Sequence, residues 1–269
     1  MQHQYTQSTT PRIETITSPA NALVKELRRA IGRGSLTEDG LFIAESFHLL
    51  EEALRSGCEI PVVLVAESAA ARITSPVPRT AILPDALFQT ITTTESSQGV
   101  IALVRPPKWT ADQVFALQSL VVVLDGIQDP GNAGAIVRAA EAFGATGVIF
   151  VKGSVGPQNP KTLRAAAGSL FRLPYLTGLD AAAVVTLLRK ERVVVHAAMP
   201  YSGSEHLAED VDLRRRCALI IGGEGHGICK ELHDLAEYIA VPTAGVESLN
   251  AAVAAAVLLY EARRQRGPA

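Results

Sequence analysis

Three short stretches of this chain bring glycine and proline together with carboxylate, amide, hydroxyl and imidazole side chains. They cover residues 125–132, 222–227 and 242–250, and each one directly follows a short apolar run. In a parallel α/β sheet, ligands bind in the crevice outside the carboxyl ends of the strands. The three turns are therefore the places where the chain is expected to bind a ligand and perform chemistry.

The first turn leads into a predicted helix over residues 132–143. Asn132 stands where the N-cap of that helix is expected, because an apolar stripe at helical spacing follows it. Arg138 lies just beside this stripe, so its guanidinium can reach the crevice while its stem packs against the protein. The spacing leaves a second interpretation open, in which Asn132 only caps the helix and Arg138 is a solvated surface charge.

The second turn contains four glycines among its six residues, which leaves two side chains, Glu224 and His226. Such a backbone can approach a ligand closely and offer it amide donors. The glycines do not follow the dinucleotide pattern Gly-x-Gly-x-x-Gly, and the sequence has no Gly-Lys-Ser/Thr phosphate loop. A dinucleotide or triphosphate site is therefore disfavoured, whereas a flexible surface turn stays open as an alternative.

The third turn places Ser248 and Asn250 at the start of a predicted helix over residues 249–264. By spacing alone, Ser248 is the expected N-cap. The helix is rich in small residues, namely Ala251, Ala252, Ala254, Ala255 and Ala256. Small side chains let two helices approach closely, so the pattern indicates a tight helix crossing or a dimer contact. An ordinary core helix fits the pattern as well.

The elements that carry these turns follow a proline-containing linker at residues 105–112. Strands are predicted at residues 120–124, 147–151, 193–197, 218–221 and 238–241. Helices are predicted at residues 132–143, 160–167, 181–190, 230–236 and 249–264. Continuously apolar strands that alternate with helices are typical of a parallel sheet covered on both faces. We therefore predict one α/β domain over residues 113–269.

The region before the linker has a mixed pattern of strands and helices. Helices are predicted at residues 20–30 and after Ser46, and strands at residues 41–44, 62–66 and 99–104. This alternation predicts a second, smaller α/β domain over residues 12–105. Residues 1–10 are polar and are predicted to form a disordered lead-in.

The composition limits the class of protein. Hydrophobic residues make up 48% and charged residues 19% of the 269 residues, as in folded globular proteins. The net charge of -2 provides no global basic field, so a nucleic acid would have to bind through local patches. The three cysteines are far apart and suggest neither disulfides nor a zinc site. Because the sequence shows no targeting signal and no membrane-spanning run, we expect a soluble cytoplasmic protein. No His/Cys/Asp cluster suggests a metal site, so we expect that the protein needs no metal.

Taken together, the three turns resemble the signature motifs of the SpoU (TrmH-like) family of RNA ribose methyltransferases in the SPOUT superfamily. The matching residues are Leu124-Asp125-Gly126 through Pro130-x-Asn132-x-Gly134-x-x-x-Arg138, Ile221-Gly222-x-Glu224-Gly225-x-Gly227, and Val241-Pro242 leading to Glu247-Ser248-Leu249-Asn250. Their order and separation agree over residues 120–264. Upstream, Ile16-Thr17-Ser18-Pro19-x-Asn21 and Phe42-x-x-Glu45-x-x-x-Leu49 are similar to the start of the family's substrate-binding domain.

The resemblance implies a fold, a cofactor and an assembly. It implies a parallel sheet whose C-terminal segment passes through a deep trefoil knot, preceded by a small ribosomal-protein-like α/β substrate-binding domain. It also implies a homodimer with active sites near the interface, and S-adenosylmethionine bound against the knot loops. The residues that match the family's cofactor contacts are Gly222, Val241 and Leu249, together with the neighbouring Ile221, Gly223 and Gly225.

The resemblance also implies roles in methyl transfer to a ribose 2′-hydroxyl, which is a poor nucleophile until its proton is removed. The family pattern points to Arg138 for this step, together with an RNA phosphate. Because a guanidinium is normally protonated, we favour electrostatic stabilisation of the developing alkoxide over a general-base role. The side chains expected to orient Arg138, the ribose and the knot loops are Asn132, Glu224, Ser248 and Asn250, with Glu224 as an alternative proton acceptor.

The resemblance also favours structured ribosomal RNA as the substrate, because family members that act on tRNA tend to have short terminal helices instead of a separate N-terminal domain. Such an RNA would be recognised mainly by shape and backbone. The candidate RNA contacts lie on or just after one helix and are Lys25, Arg28, Arg29 and Arg33. A solvated basic face fits these four residues equally well. Two other functions remain open, a tRNA 2′-O-methyltransferase and a non-catalytic RNA-binding assembly factor of the same fold. A Rossmann-type nucleotide enzyme is disfavoured by the order of the motifs.

Overall fold

A computed structural model describes residues 12–74, 77–94, 96–202, 206–225 and 227–267. The predicted lead-in at residues 1–10 lies outside the described residues. Within them, no helix is long and apolar enough to cross a membrane, and no group of three His, Cys, Asp or Glu side chains is placed to hold a metal ion. The chain divides into two compact units. Unit 1 runs up to Pro107 and includes Gln158–Pro160, and unit 2 comprises Lys108–Pro157 and Lys161–Ala269.

Unit 1 is built on a five-stranded mixed sheet. Its strands are β1 (Arg12–Thr15), β2 (Phe42–Glu45), β3 (Val62–Ala66), β4 (Arg79–Leu83) and β5 (Val100–Val104). Its helices are α1 (Ala22–Arg33), α2 (Phe47–Arg55) and α3 (Asp85–Phe88), with 3-10 turns at Glu67–Arg72 and Gln89–Ile91. The strand order is β1-β4-β3-β5-β2; β1, β4 and β3 are parallel, and β5 is antiparallel to β3 and β2.

The buried strands of unit 1 are the ones that the sequence predicts. Every residue of β2, β3 and β5 is buried, and α1 packs Val24 and Leu27 into the same core. The prediction missed β1 and β4. Strand β1 lies at the edge of the sheet with most of its residues exposed, including Ile13 at 70%. Such a strand lacks the apolar pattern that distinguishes a buried strand from a loop.

Unit 2 is built on a seven-stranded sheet. Its strands are β6 (Leu120–Asp125), β7 (Gly147–Val151), β8 (Tyr175–Leu179), β9 (Val194–Ala198), β10 (His206–Leu207), β11 (Cys217–Gly222) and β12 (Glu237–Ala240). Its helices are α4 (Ala111–Val114), α5 (Pro130–Ala142), α6 (Pro160–Ala165), α7 (Ala181–Glu191), α8 (Lys230–His233) and α9 (Ala251–Arg266), with a 3-10 turn at Ser169–Phe171.

All strand pairs of this sheet are parallel, in the order β10-β12-β9-β11-β6-β7-β8. The predicted parallel α/β sheet is therefore confirmed, whereas its trefoil knot stays a prediction. Strands β8 and β10 were missed, because β8 contains glycine and threonine and is partly exposed, and β10 has two residues. The register pairs Gly222 with Asp125. The first and second turns therefore begin side by side at the same edge.

Two helices of unit 2 begin at residues other than those predicted. The N-cap of α5 is Asp129, not Asn132: Asp129 Oδ1 accepts the backbone N–H of Asn132 at 2.7 Å, and Pro130 follows at the first helical position. The N-cap of α9 is Asn250, not Ser248, because Asn250 Oδ1 accepts the N–H of Ala252 at 2.9 Å. Asn132 therefore lies inside the first turn of α5, with its side chain available for other contacts.

The C-terminal end of α9 is fastened to the sheet by Arg266. Its guanidinium donates hydrogen bonds of 2.7–3.1 Å to the backbone carbonyls of Gln118, Ser119, Leu213 and Arg215. These carbonyls immediately precede β6 and β11, so one side chain ties α9 to the amino ends of the two central strands. Charged hydrogen bonds of this kind contribute more than neutral ones.

Candidate active site

Side chains from all three turns meet in one hydrogen-bonded cluster, which we call the amide–carboxylate cluster: Asn132, Glu224 and Asn250. Asn132 Nδ2 donates to Glu224 Oε1 at 3.2 Å, and Asn250 Nδ2 donates to the same oxygen at 2.9 Å. Asn250 Nδ2 also lies 3.1 Å from Asn132 Oδ1. The three residues are up to 118 positions apart in sequence. The fold thus brings together three of the five predicted catalytic residues.

The glycine-rich turn is held in place by close backbone contacts with the first turn. A Cβ built on Gly223 would collide with the carbonyl oxygen of Gly126, and Gly223 N donates to Asp125 O at 2.9 Å. The buried carboxylate of Asp125 also accepts the N–H of Cys229 at 2.6 Å. Only glycine permits this approach at position 223. His226, the other side chain of the predicted turn, lies outside the described residues.

A cavity of about 220 Å³ opens beside the cluster, and Glu224, a member of the cluster, also lines the cavity. Five of the six predicted cofactor contacts line this cavity, namely Ile221, Gly222, Gly223, Val241 and Leu249, and the predicted Ser248 lines it as well. Gly225, the sixth predicted cofactor contact, is not part of the lining. The walls are mostly apolar, and the glycines of the second turn line the cavity with backbone atoms, as expected for a small-molecule site.

Sequence reasoning missed one wall of the cavity. Met199, Pro200 and Tyr201, which follow β9, line it, and so do Ala254 and Leu258 of α9. The segment 199–201 has no glycine-rich or charged motif, so composition alone did not mark it. The available indication was its position, because it follows the carboxyl end of another parallel strand.

Arg138 lies apart from the amide–carboxylate cluster of its own chain. It is exposed, and within the described residues it has neither a hydrogen bond nor an ion pair. Arg138 follows Asn132 by six residues, which places it roughly 9 Å along α5 and about 120° around it. The exposed residues of α5 that share its face are Ala135 and Ala142.

Cys229, whose N–H donates to Asp125 beside the second turn, is poorly suited to act as a nucleophile. Burial raises the pKa of the Cys229 thiol to about 11, and the neighbouring Asp125 carboxylate acts in the same direction. A thiol reacts as its thiolate, which is therefore scarce near neutral pH. Among the residues that line the cavity or form the cluster, the chemistry rests on oxygen and amide groups.

The predicted RNA contacts in unit 1 occupy one helix, but they differ in what they contact. Arg28 donates through Nε to Thr90 Oγ1 at 3.2 Å, and Arg29 pairs with Glu38 at 3.0 Å. Lys25, Arg29 and Arg33 are exposed at helical spacing along α1, whereas Arg28 is partly buried. The exposed basic line on α1 thus consists of three of the four predicted residues.

Comparison with known proteins identifies both parts of the chain. The model of the SpoU rRNA methylase family matches residues 119–260, and that of the MRM3-like substrate binding domain matches residues 21–102. The first match covers more than half of the chain. The chain belongs to the SpoU rRNA methylase family.

Two relatives of this SpoU protein are named as enzymes that act on ribosomal RNA. It is 32% identical to the 23S rRNA (guanosine(2553)-2′-O)-methyltransferase RlmP of Bacillus subtilis, over 93% of this chain and 100% of that protein. It is 34% identical to the 23S rRNA (uridine(2479)-2′-O)-methyltransferase of Streptomyces viridochromogenes, over 69% of this chain and 67% of that protein.

Solved structures agree with the family and the cofactor. The AdoMet-bound rRNA methyltransferase from Sinorhizobium meliloti superimposes with a TM-score of 0.80 at 28% identity, covering 94% of this chain and 98% of that one. The AviRb methyltransferase from Streptomyces viridochromogenes in complex with AdoMet gives a TM-score of 0.77 at 26% identity, covering 91% and 99%. The SpoU protein described here is therefore an RNA methyltransferase that uses S-adenosylmethionine, and the predicted family, fold class and cofactor are confirmed.

Proposed function

We propose that this protein methylates a ribose 2′-hydroxyl of ribosomal RNA at the amide–carboxylate cluster. The single observation that carries the proposal is that Asn132, Glu224 and Asn250 converge from three turns beside a cavity lined by five predicted cofactor contacts. The names of its relatives support this choice of reaction and substrate, because they are 23S rRNA 2′-O-methyltransferases.

The side chains of the cluster and Arg138 are suited to act on the methyl acceptor, the ribose hydroxyl. S-adenosylmethionine supplies a methyl group on a positively charged sulfur, which is already an activated leaving group. The remaining difficulty is the ribose hydroxyl, whose proton must leave as the new bond forms. Glu224 Oε1 accepts hydrogen bonds from both asparagines, so this carboxylate is fixed in position and can orient the ribose or accept its proton. Arg138 would stabilise the developing negative charge on the oxygen.

The position of Arg138 favours a homodimer in which it serves the partner's active site. Helix α9 packs on α5, and the outer face of this pair exposes Val253 at 49% and Tyr260 at 57%. Ala135 of α5 borders the same apolar surface and shares its helix face with Arg138. Monomeric proteins seldom leave such a patch uncovered, so a second copy of the chain would cover it. Arg138 would then lie at the interface.

Unit 1 is proposed to bind the RNA substrate, through the exposed basic line Lys25, Arg29 and Arg33. Phosphate contacts from lysine and arginine position an RNA without specifying its sequence. The corresponding domains are residues 12–105 for RNA binding and 113–269 for catalysis. The cytoplasmic location stays a prediction.

Replacement of Arg138 tests the mechanism. For Arg138→Ala we expect a loss of about 100-fold or more in kcat, because the developing alkoxide loses its positive neighbour. The dissociation constant for S-adenosylmethionine, measured by calorimetry, should change less than about twofold, because Arg138 does not line the cavity. Methyl transfer is assayed on 23S rRNA and on tRNA, with 2′-O-methylation mapped by resistance to alkaline cleavage.

Three results would contradict parts of this proposal. Full activity of Arg138→Ala would remove that residue from the mechanism. Methylation of tRNA in preference to 23S rRNA would overturn the substrate. Binding of RNA without binding of S-adenosylmethionine would point to a non-catalytic assembly factor.

A further inference from the structure

The charged side chains that line the cavity beside the amide–carboxylate cluster are all acidic among the described residues. Among the described residues that line it, the charged ones are Glu224 and Glu247, both acidic. Glu224 Oε1 is already shared by Asn132 and Asn250. Glu247 is exposed, and within the described residues it has neither a hydrogen bond nor an ion pair. A carboxylate at the wall of a ligand site that pairs with no cation among the described residues attracts a cation on the ligand.

S-adenosylmethionine and its product differ in charge at one atom. The donor has a positive sulfonium, whereas S-adenosylhomocysteine has a neutral thioether; both have the same α-amino and carboxylate groups. A carboxylate near the sulfur therefore binds the donor more tightly than the product. A carboxylate near the amino group would affect both ligands equally. The difference between the two affinities thus reports where the charge acts.

Glu247 lines the cavity and belongs to the same turn as Asn250, a member of the amide–carboxylate cluster. It precedes Asn250 by three residues, and Asn250 is bonded to Glu224. Thr243 Oγ1 donates to Val246 O at 2.7 Å, which fixes the turn that presents Glu247. Methyl transfer requires the sulfur to lie next to the acceptor oxygen, and the acceptor site is proposed to be the amide–carboxylate cluster. The end of the cavity near this cluster is therefore where the sulfur must lie.

We propose that Glu247 recognises the positive charge on the sulfur, so that the cavity favours the methyl donor over the spent product. This inference rests on the proposed function, because it takes this cavity to be the cofactor site. Its consequence is that loss of the charge after transfer weakens binding and promotes product release.

Calorimetry on Glu247→Gln in the full-length protein tests the proposal with three ligands. These are S-adenosylmethionine, S-adenosylhomocysteine and sinefungin, which has an amine and its positive charge near the sulfur position. We expect the variant to bind the two cationic ligands about fivefold more weakly, and the neutral product less than about twofold more weakly. The effect should shrink at high salt, because Glu247 is exposed. The control is Glu231→Gln, an exposed carboxylate outside the cavity lining.

The outcomes separate this inference from the function on which it rests. If the wild-type protein does not bind S-adenosylmethionine, the proposed function of the cavity fails. If the wild-type protein binds it and Glu247→Gln weakens all three ligands equally, or none, the function stands and the charge recognition is wrong. Matching melting temperatures of the variant and the wild-type protein would show that a selective loss is not due to unfolding.

Discussion

His196 places an ionisable ring in the interior of unit 2. It lies on β9 with 2% of its surface exposed, and neither ring nitrogen has a hydrogen-bond partner among the described residues. Glu237, on the neighbouring β12, approaches Nδ1 to 3.9 Å. Burial lowers the pKa of His196 below its usual range, and this effect outweighs the opposing effect of Glu237, while His206 and Arg215 add to the lowering. The ring is therefore held neutral in the folded protein.

Protonation of His196 should make unit 2 sensitive to acid. Because the folded protein has the lower pKa, the unfolded chain binds more protons below about pH 6.5, so the free energy of unfolding falls as the pH decreases through that range. The contribution has a slope of up to about 1.4 kcal/mol per pH unit. We expect His196→Leu to reduce this slope between about pH 5 and 7 in urea titrations.

The matched control replaces an exposed histidine. His48→Leu in α2 should leave the slope unchanged, since His48 is exposed. Equal slopes in the wild-type protein and in His196→Leu would show that other groups determine the acid sensitivity.

The sequence predicted which residues form the amide–carboxylate cluster, but not the distances between them. Asn132, Glu224 and Asn250 were identified because each belongs to a motif that resembles the family's. Their shared hydrogen bonds depend on how three loops converge, which spacing along the chain does not encode. Tyr201 was missed for the complementary reason: its position in the fold, not its type, makes it part of the cavity.

Among the helices of unit 2, α5 and α6 contact each other at a glycine. A Cβ built on Gly134 would lie 2.6 Å from Thr162 O and 2.8 Å from Ala166 N, and it would overlap Ala165 Cβ. Two of these three atoms belong to the backbone, so the contact cannot be relieved by rotating a side chain. Gly134 shares the first two turns of α5 with Asn132, so a shift of the helix would also disturb the amide–carboxylate cluster.

Gly134→Ala should therefore destabilise unit 2, although alanine favours helices. We expect a cost of about 1–3 kcal/mol from overpacking, seen as a lower melting temperature in calorimetry, with weaker binding of S-adenosylmethionine. The control is Gly32→Ala in α1, where a Cβ would meet no atom within 4 Å. That change should stabilise unit 1 by about 0.4–1 kcal/mol. A stabilised Gly134→Ala protein would contradict the close contact.

The starting residues of helices α5 and α9 show why the sequence did not predict helix boundaries correctly. The sequence predicted Asn132 and Ser248 as N-caps, whereas Asp129 and Asn250 cap the helices in the structure, and all of these residues are of types that cap helices well. Tertiary contacts decide among them: Asn132 and Asn250 both bond to Glu224, and Asn250 uses its oxygen for the cap at the same time. The strands with at least half of their residues buried were predicted, whereas the missed strands β1, β4, β8 and β10 are mostly exposed or half-buried.

For the whole molecule, the parallel sheet followed from the apolar strands that alternate with helices, whereas the bounds of the two domains stay a prediction. The predicted knot and the predicted dimer rest on the resemblance to the family, because both depend on how the chain passes itself or a second copy. Arg266 illustrates this limit: one terminal arginine bonds to carbonyls 51 to 148 residues away in sequence. No local sequence pattern predicts such a long-range hydrogen bond.

The proposed dimer can be tested by complementation between two inactive variants. If Arg138 serves the partner's site, a heterodimer of Arg138→Ala and Asn250→Ala has one site with an intact cluster and an intact arginine, and one site that lacks both. A heterodimer purified through two different tags should then show about half of wild-type activity, whereas either variant alone is inactive. If Arg138 acts within its own chain, each chain of the heterodimer lacks one essential group, and no activity returns.

The same experiment identifies the surface that joins the copies. Val257 of α9 is 38% exposed on the apolar face beside Tyr260. Adding Val257→Glu to both chains buries charge in the proposed interface, so it should yield monomers in sedimentation and abolish the restored activity. Arg189→Glu is the control, because Arg189 is exposed on α7, a helix that packs on α8 and β8, and it should preserve the dimer. A Val257→Glu protein that remains dimeric and complements would place the interface elsewhere.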